Sequence, residues 1–245
     1  MGTARKDIHN SDVPALCRAC EARHRGICGA LEPEQLIRLN RFTKQQSIEA
    51  GRELQPTGEE VHRYSNILQG VVKLTKLLAD GRQQIVGLQF APDFTGRPFR
   101  EQSELIADAA TDVRICSFPK QVLEELIEES PELEHKLHEQ ALAELDEARE
   151  WMLTLGRKNA SEKVASFLHM IASHINPDLD MHEGPVRFEL PLKRSDIADF
   201  LGLTIETVSR QITRLRKSGV IEVENNRTVI VPDIERLERA CEQDS

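Results

Sequence analysis

Three cysteines crowd into twelve residues near the N-terminus, Cys17, Cys20 and Cys28 in the pattern C-x2-C-x7-C, and a fourth, Cys116, stands far downstream. Thiolates grouped this tightly point to a metal or an iron-sulfur centre. A disulfide framework is a poor expectation, because five cysteines is an odd number and the polar stretch Met1 to Asp12 has no apolar core of signal-peptide length. A CxxC pair alone is weak evidence. Here the third cysteine is flanked by Gly26 and Gly29, so a loop can wrap three thiolates around one centre, which then needs a fourth ligand. Two assemblies meet that need. In one, Cys17, Cys20, Cys28 and Cys116 hold a [4Fe-4S] cluster, provided that the strand carrying Cys116 passes beneath the loop. In the other, Cys17, Cys20, His24 and Cys28 hold zinc locally and Cys116 is a small buried hydrophobe. Spacing leaves both open. Cys241 reads as an incidental free thiol in a C-terminal helix.

A second constellation occupies Arg194 to Gly219, RSDIADFLGLTIETVSRQITRLRKSG. Ile197, Leu201, Leu203, Val208 and Ile212 can pack together if two helices cross at Gly202, with small Ala198 allowing close approach. Thr204 caps the second helix, which then turns Glu206, Ser209 and Arg210 outward at its N-terminal end, the end that reaches base edges in a major groove. Arg210 can pair with O6 and N7 of guanine, Glu206 can accept from an exocyclic amine, and Ser209 can bond a base or a phosphate. Arg214, Arg216 and Lys217 lie further along and suit phosphate.

The elements that must position these groups follow from the pattern. Residues 31 to 39 read as a short helix with Pro33 in its first turn. Short apolar runs at Tyr64 to Leu68, Val71 to Leu78, Gln84 to Phe90 and Val113 to Phe118, with Asp80-Gly81 between two of them, predict an antiparallel barrel or roll. After Pro119 come an amphipathic helix over 120 to 129 and a longer one capped by Ser130 with Pro131 at its first position. In the longer helix Ala141, Leu145, Ala148, Met152 and Leu155 recur at three- and four-residue spacing, a seam suited to a second copy of the same helix. Gly156 is expected to end it, with a hinge over 156 to 159 and another helix from Asn159 to Ile175. Val186 to Leu190 reads as a strand, and Val220 to Val231 as a hairpin turning at Asn225-Asn226. The expected class is α+β, divided as an N-terminal tail and cysteine loop (1–29), a roll (30–129), a dimerisation helix with hinge (130–158) and a winged helix-turn-helix (159–245).

Composition fits that plan. The chain has 245 residues, 39% apolar and 30% charged, enough for two modest cores. The net charge of −9 seems wrong for a nucleic-acid binder, but eleven acids lie between Glu124 and Glu150. From Lys193 to Lys217 six basic residues face three acids. A basic segment in an acidic chain is a local footprint for phosphate. No apolar run is long enough to span a membrane, and a cytoplasmic location is expected. No dinucleotide fingerprint, P-loop or nucleophile elbow is present, so an enzyme is not expected.

Together the cysteine loop, the roll, Cys116, the long helix and the sequence ETVSR at Glu206 to Arg210 resemble the FNR group of the CRP-FNR regulators, over nearly the whole chain. The resemblance implies a cyclic-nucleotide-binding-like roll and an oxygen-labile [4Fe-4S] cluster on Cys17, Cys20, Cys28 and Cys116. It also implies a homodimer at low oxygen on a double-stranded palindrome close to TTGAT-N4-ATCAA, loss of DNA binding when oxygen converts the cluster to [2Fe-2S], and contact with RNA polymerase. The seven-residue gap before Cys28 looks like the form common among alpha-proteobacterial members. Two positions depart from the family. Where the enteric form has an acidic residue in its dimer seam this chain has Ala148, so an apoprotein dimer is expected. Where cyclic-nucleotide members have an Arg-Ser pair this chain reads Ser103-Glu104, and a carboxylate there opposes cAMP. Asp80 to Gln83 matches a polymerase-contacting loop, although the residues themselves read as a plain hairpin turn.

Overall fold

The computed structural model describes residues 13–18, 20–55, 58–175 and 184–242, so the polar stretch Met1 to Asp12 lies outside the described residues. The chain divides into two compact units, residues 1–74 with 88–144, and residues 75–87 with 145–245. No helix among the described residues is long and apolar enough to cross a membrane.

The first unit begins with helices, not the open loop expected: α1 (Ala15–Arg18), α2 (Glu21–Arg25), a 3-10 turn at Ile27–Ala30, and α3 (Pro33–Asn40). Glu32 and Gln35 close a capping box at the start of α3, with Pro33 inside the first turn. The strands follow as β1 (Lys44–Ile48), β2 (Glu53–Gln55), β3 (Arg63–Gln69), β4 (Val71–Leu77), β5 (Gln83–Phe90), β6 (Phe94–Thr95), β7 (Ile106–Ala109) and β8 (Val113–Pro119). They form two four-stranded sheets, β1-β8-β3-β6 and β2-β7-β4-β5. The apolar runs read from sequence are β3, β4, β5 and β8. The strands that sequence did not reveal include both β1 and β2, which lie at sheet edges. Lys44-Gln45-Gln46-Ser47 is exposed, so no apolar alternation marks it.

Residues on β3 and β8 alternate between two faces, and this alternation places the site. On one face Ile67, Val113 and Ile115 pack with Val72, Ala107 and Ala109. On the other, Tyr64 and Phe118 join Ile27, Leu31 and Leu36 from the N-terminal segment, together with Leu123 and Leu126 of α4 (Lys120–Glu129) and Leu133 of α5 (Pro131–Arg157). Arg38 ties α3 to α4 through Glu125 at 2.5 Å and Glu129 at 2.7 Å. Ser130 caps α5 through the Leu133 N–H, as expected.

Helix α5 does not stop at Gly156; it continues to Arg157. A glycine inside a helix costs only about 1 kcal/mol relative to alanine, and the break comes instead at Asn159. There Asn159 Oδ1 accepts from the N–H groups of Ser161 and Glu162, while Glu162 accepts from the Asn159 N–H, a cap that starts α6 (Ala160–Ile175).

The second unit continues with β9 (Val186–Glu189), α7 (Arg194–Leu201), α8 (Ile205–Lys217), β10 (Glu222–Glu224), β11 (Thr228–Val231) and α9 (Ile234–Cys241). Its core joins Phe167, Leu168 and Ile171 of α6 to Ile197, Phe200, Val208 and Ile212. Trp151 and Phe167 meet Phe200 edge-on, with ring centroids 4.6 and 5.9 Å away. Strands pair in the order β10-β11-β9, and the hairpin turns through Asn225 and Asn226 with positive φ at both, the turn being closed by the Arg227 N–H on the Glu224 carbonyl.

Candidate functional site

The first unit brings the four distant cysteines into one neighbourhood. β3 and β8 pair with Asn66 opposite Cys116 and Tyr64 opposite Phe118, so Cys116 lies on the same sheet face as the buried Tyr64 and Phe118. The N-terminal segment covers that face, and Cys28 packs against its core. Gly29 lets the turn close on α2, since a Cβ there would stand 2.8 Å from the Arg23 carbonyl oxygen. The strand carrying Cys116 thus runs beneath the cysteine segment, the tertiary condition that spacing left open.

The thiols feel one another. Burial pushes Cys28 up to about 12, and negative charge at Cys116 and Cys17 adds to the rise. Cys116 is also pushed up to about 12, first by burial and then by Cys20 and Cys17. Cys17 is raised by burial and Cys20, with Arg23 opposing. Asn66 Nδ2 donates to Cys28 Sγ at 3.1 Å, and Asn66 Oδ1 is buried without a hydrogen-bond partner. Sequence reasoning missed Asn66; its only signal was one amide inside the apolar run Tyr64 to Leu68. His24 is exposed, and among the described residues no three His, Cys, Asp or Glu side chains gather closely enough for a single metal ion. The donor set nonetheless fits an iron-sulfur cluster: four thiols from two chain segments, mostly removed from water, with an amide N–H aimed at one sulfur. Cys241 stands apart from them, buried on α9 and donating to the Leu237 carbonyl.

In the second unit the helix-turn-helix forms as its sequence requires. Gly202 ends α7 in the left-handed conformation at φ 62°, and Thr204 Oγ1 accepts from the Thr207 N–H at the start of α8. Val208, Ile212 and Leu215 are buried on one face of α8, while Glu206, Ser209, Arg210, Arg214, Arg216 and Lys217 are all exposed. Glu206 is held below the usual carboxylate range by its own backbone N–H and the Thr204 hydroxyl. Arg194 reaches the wing turn, donating to the Asn226 carbonyl at 3.4 Å.

The seam residues Ala141, Leu145, Ala148, Met152 and Leu155 are exposed on α5, and Met152 is 73% exposed. Leu142 and Leu153 are also exposed on α5, about a quarter-turn or more round from that stripe. In the roll, a cavity of about 80 Å³ touches Ser103, Leu105, Arg97 and Arg100. Ser103 Oγ is engaged locally, donating to the Leu105 carbonyl.

Comparison with known proteins gives the same two parts. Residues 45–130 match the cyclic nucleotide-binding domain, and residues 162–240 match the Crp-like helix-turn-helix domain. A probable transcriptional activator of Rhizobium leguminosarum is 58% identical over 239 residues, 98% of each chain. The transcriptional activator protein FnrL of Cereibacter sphaeroides is 41% identical over 96% of each chain. The structure of FixK2 from Bradyrhizobium japonicum superposes with a TM-score of 0.72 at 30% identity, covering 83% of this chain and 99% of that one.

Proposed function

Because the chain belongs to the CRP-FNR family of transcription regulators, we propose that it is an oxygen-responsive activator whose [4Fe-4S] cluster on Cys17, Cys20, Cys28 and Cys116 favours a DNA-binding homodimer. The relatives make it a transcription regulator of the FNR and FixK type with a DNA-binding helix-turn-helix. The observation that supports the iron-sulfur reading is the convergence of thiols from two chain segments, with Cys28 packed against the sheet face that carries Cys116. When bound, the cluster would supply an oxygen-labile link between residues 17–28 and β8.

Protein residues then relay the state of that link. Cys28 packs on the core that contains Ile27, Leu31 and Leu133, with Leu137 against it, so the cysteine segment and the start of α5 share one packed core. The exposed stripe begins one turn later, at Ala141. Reading both half-sites of a palindrome requires two recognition helices about 34 Å apart, one turn of DNA, and pairing along this stripe is the means by which two copies would meet that need. Arg210, Glu206 and Ser209 would then read base edges of a palindrome close to TTGAT-N4-ATCAA, with Arg214, Arg216 and Lys217 on phosphate. Contact with RNA polymerase through the Asp80 to Gln83 turn belongs to the same reading.

Cyclic AMP is not the signal in this reading, since the cavity at Ser103, about 80 Å³, falls well below the roughly 300–1,000 Å³ of small-molecule pockets. An alternative, a zinc-structured regulator whose roll senses a small molecule, would have to use the larger cleft of about 860 Å³ lined by Ser47, Leu54, Arg63 and Ser117. Fluorescence anisotropy with the palindrome tests the proposal. Anaerobic protein should bind, and brief air exposure should weaken binding by about tenfold or more. Equal affinity before and after air would refute it.

A further inference from the structure

We propose that Asn66 is a positioning residue of the cysteine site: its side-chain N–H holds the Cys28 sulfur in place, which slows loss of the cluster. The inference rests on the iron-sulfur reading above.

Asn66 is 3% exposed, on the sheet face that it shares with Tyr64, Phe118 and Cys116. Its strand neighbour across the sheet on the other side is Phe94. Burying an amide among such side chains without full hydrogen bonding costs about 1–3 kcal/mol. Here the amide is half satisfied, with Nδ2 donating to Cys28 Sγ and Oδ1 unpartnered. A leucine would fill this position at lower cost, so the fold alone gives no reason for the amide. The sulfur does. Nδ2 stands 3.1 Å from Cys28 Sγ, on the strand that pairs with Cys116. Hydrogen bonds to cluster sulfurs set cluster potential and stability, and outer-shell partners of metal ligands commonly change affinity by about 10–100-fold when removed. The register pairing with Cys116 adds a second role. Asn66 is fixed on the strand next to one thiol and bonded to another, so it ties the far ligand's strand to the N-terminal segment.

The test compares wild type, Asn66→Leu and Asn66→Ser, purified without oxygen. Iron and sulfide content, the rate of bleaching in air, the Fe–S(Cys) stretching frequencies and the melting temperature of the apoprotein are measured for each. Asn66→Leu should bleach about tenfold faster or more and shift the Fe–S(Cys) stretch, while its apoprotein melts no lower than wild type. Asn66→Ser, which keeps an O–H donor, should fall between them. Wild-type iron content, bleaching rate and stretch in a folded Asn66→Leu would overturn the proposal. So would apoprotein stability and cluster lifetime falling together in both variants, which marks a packing role. Should Asn66→Leu not fold, a wild-type bleaching rate and stretch in Asn66→Ser overturns the proposal, and faster bleaching with a shifted stretch supports it. Wild type lacking iron would overturn the iron-sulfur reading first, before any variant is compared.

Discussion

The cysteine site and the recognition helix are built in opposite ways. Every group that α8 would present to DNA comes from one thirteen-residue helix, whose cap and apolar face fix the outward direction of Glu206, Ser209 and Arg210. The cysteine site takes its parts from residues 17 to 28, from Asn66 and from Cys116, and nothing local holds them together. A site assembled on one helix should lose function in graded steps. One assembled across a sheet by shared ligands should fail as a unit.

The largest expected effect is therefore at Cys116. Cys116→Ala should abolish stable cluster binding, whereas Cys241→Ala, which removes a buried thiol that donates to the Leu237 carbonyl of its own helix, should leave iron content unchanged. Equal iron in wild type and Cys116→Ala would erase the contrast between the two sites. In the recognition helix, Arg210→Ala should weaken binding to the palindrome by about 1–3 kcal/mol and relax preference at one base pair, read by anisotropy on matched and mismatched sites. Thr204→Ala removes the cap bond to Thr207 and should cost about 1 kcal/mol of stability, seen in thermal melting, with base preference retained. The smallest effects belong to Arg214→Ala and Arg216→Ala. Each should lower affinity evenly on specific and random DNA and reduce the salt slope by about one. Uniform losses for Arg210, Arg214 and Arg216 variants would show that α8 does not divide base reading from phosphate contact.

The same contrast explains what sequence could reveal. Gly202, Thr204 and Asn225-Asn226 announce their local geometry, and the helix-turn-helix and wing formed where they indicated. The strands β3, β4 and β8 were legible within a residue or two because they lie inside their sheets and carry buried apolar residues, and β5, at an edge, was legible from its buried Ile85, Leu88 and Phe90. The edge strands β1 and β2 carry little burial and hence little pattern. Gly156 misled because glycine is tolerated inside a helix, and the true signal was the Asn159 cap with Glu162 three residues on. The approach of Cys116 and Asn66 to Cys28 depends on strand register, which no local spacing encodes.

Iron content after strictly anaerobic purification tests the central claim most directly. A cluster-bearing regulator should be coloured, carry about four iron and four sulfide per chain, bleach in air and, in parallel, lose its affinity for the palindrome. A colourless protein carrying zinc, or one that binds DNA equally well in air, would contradict that claim.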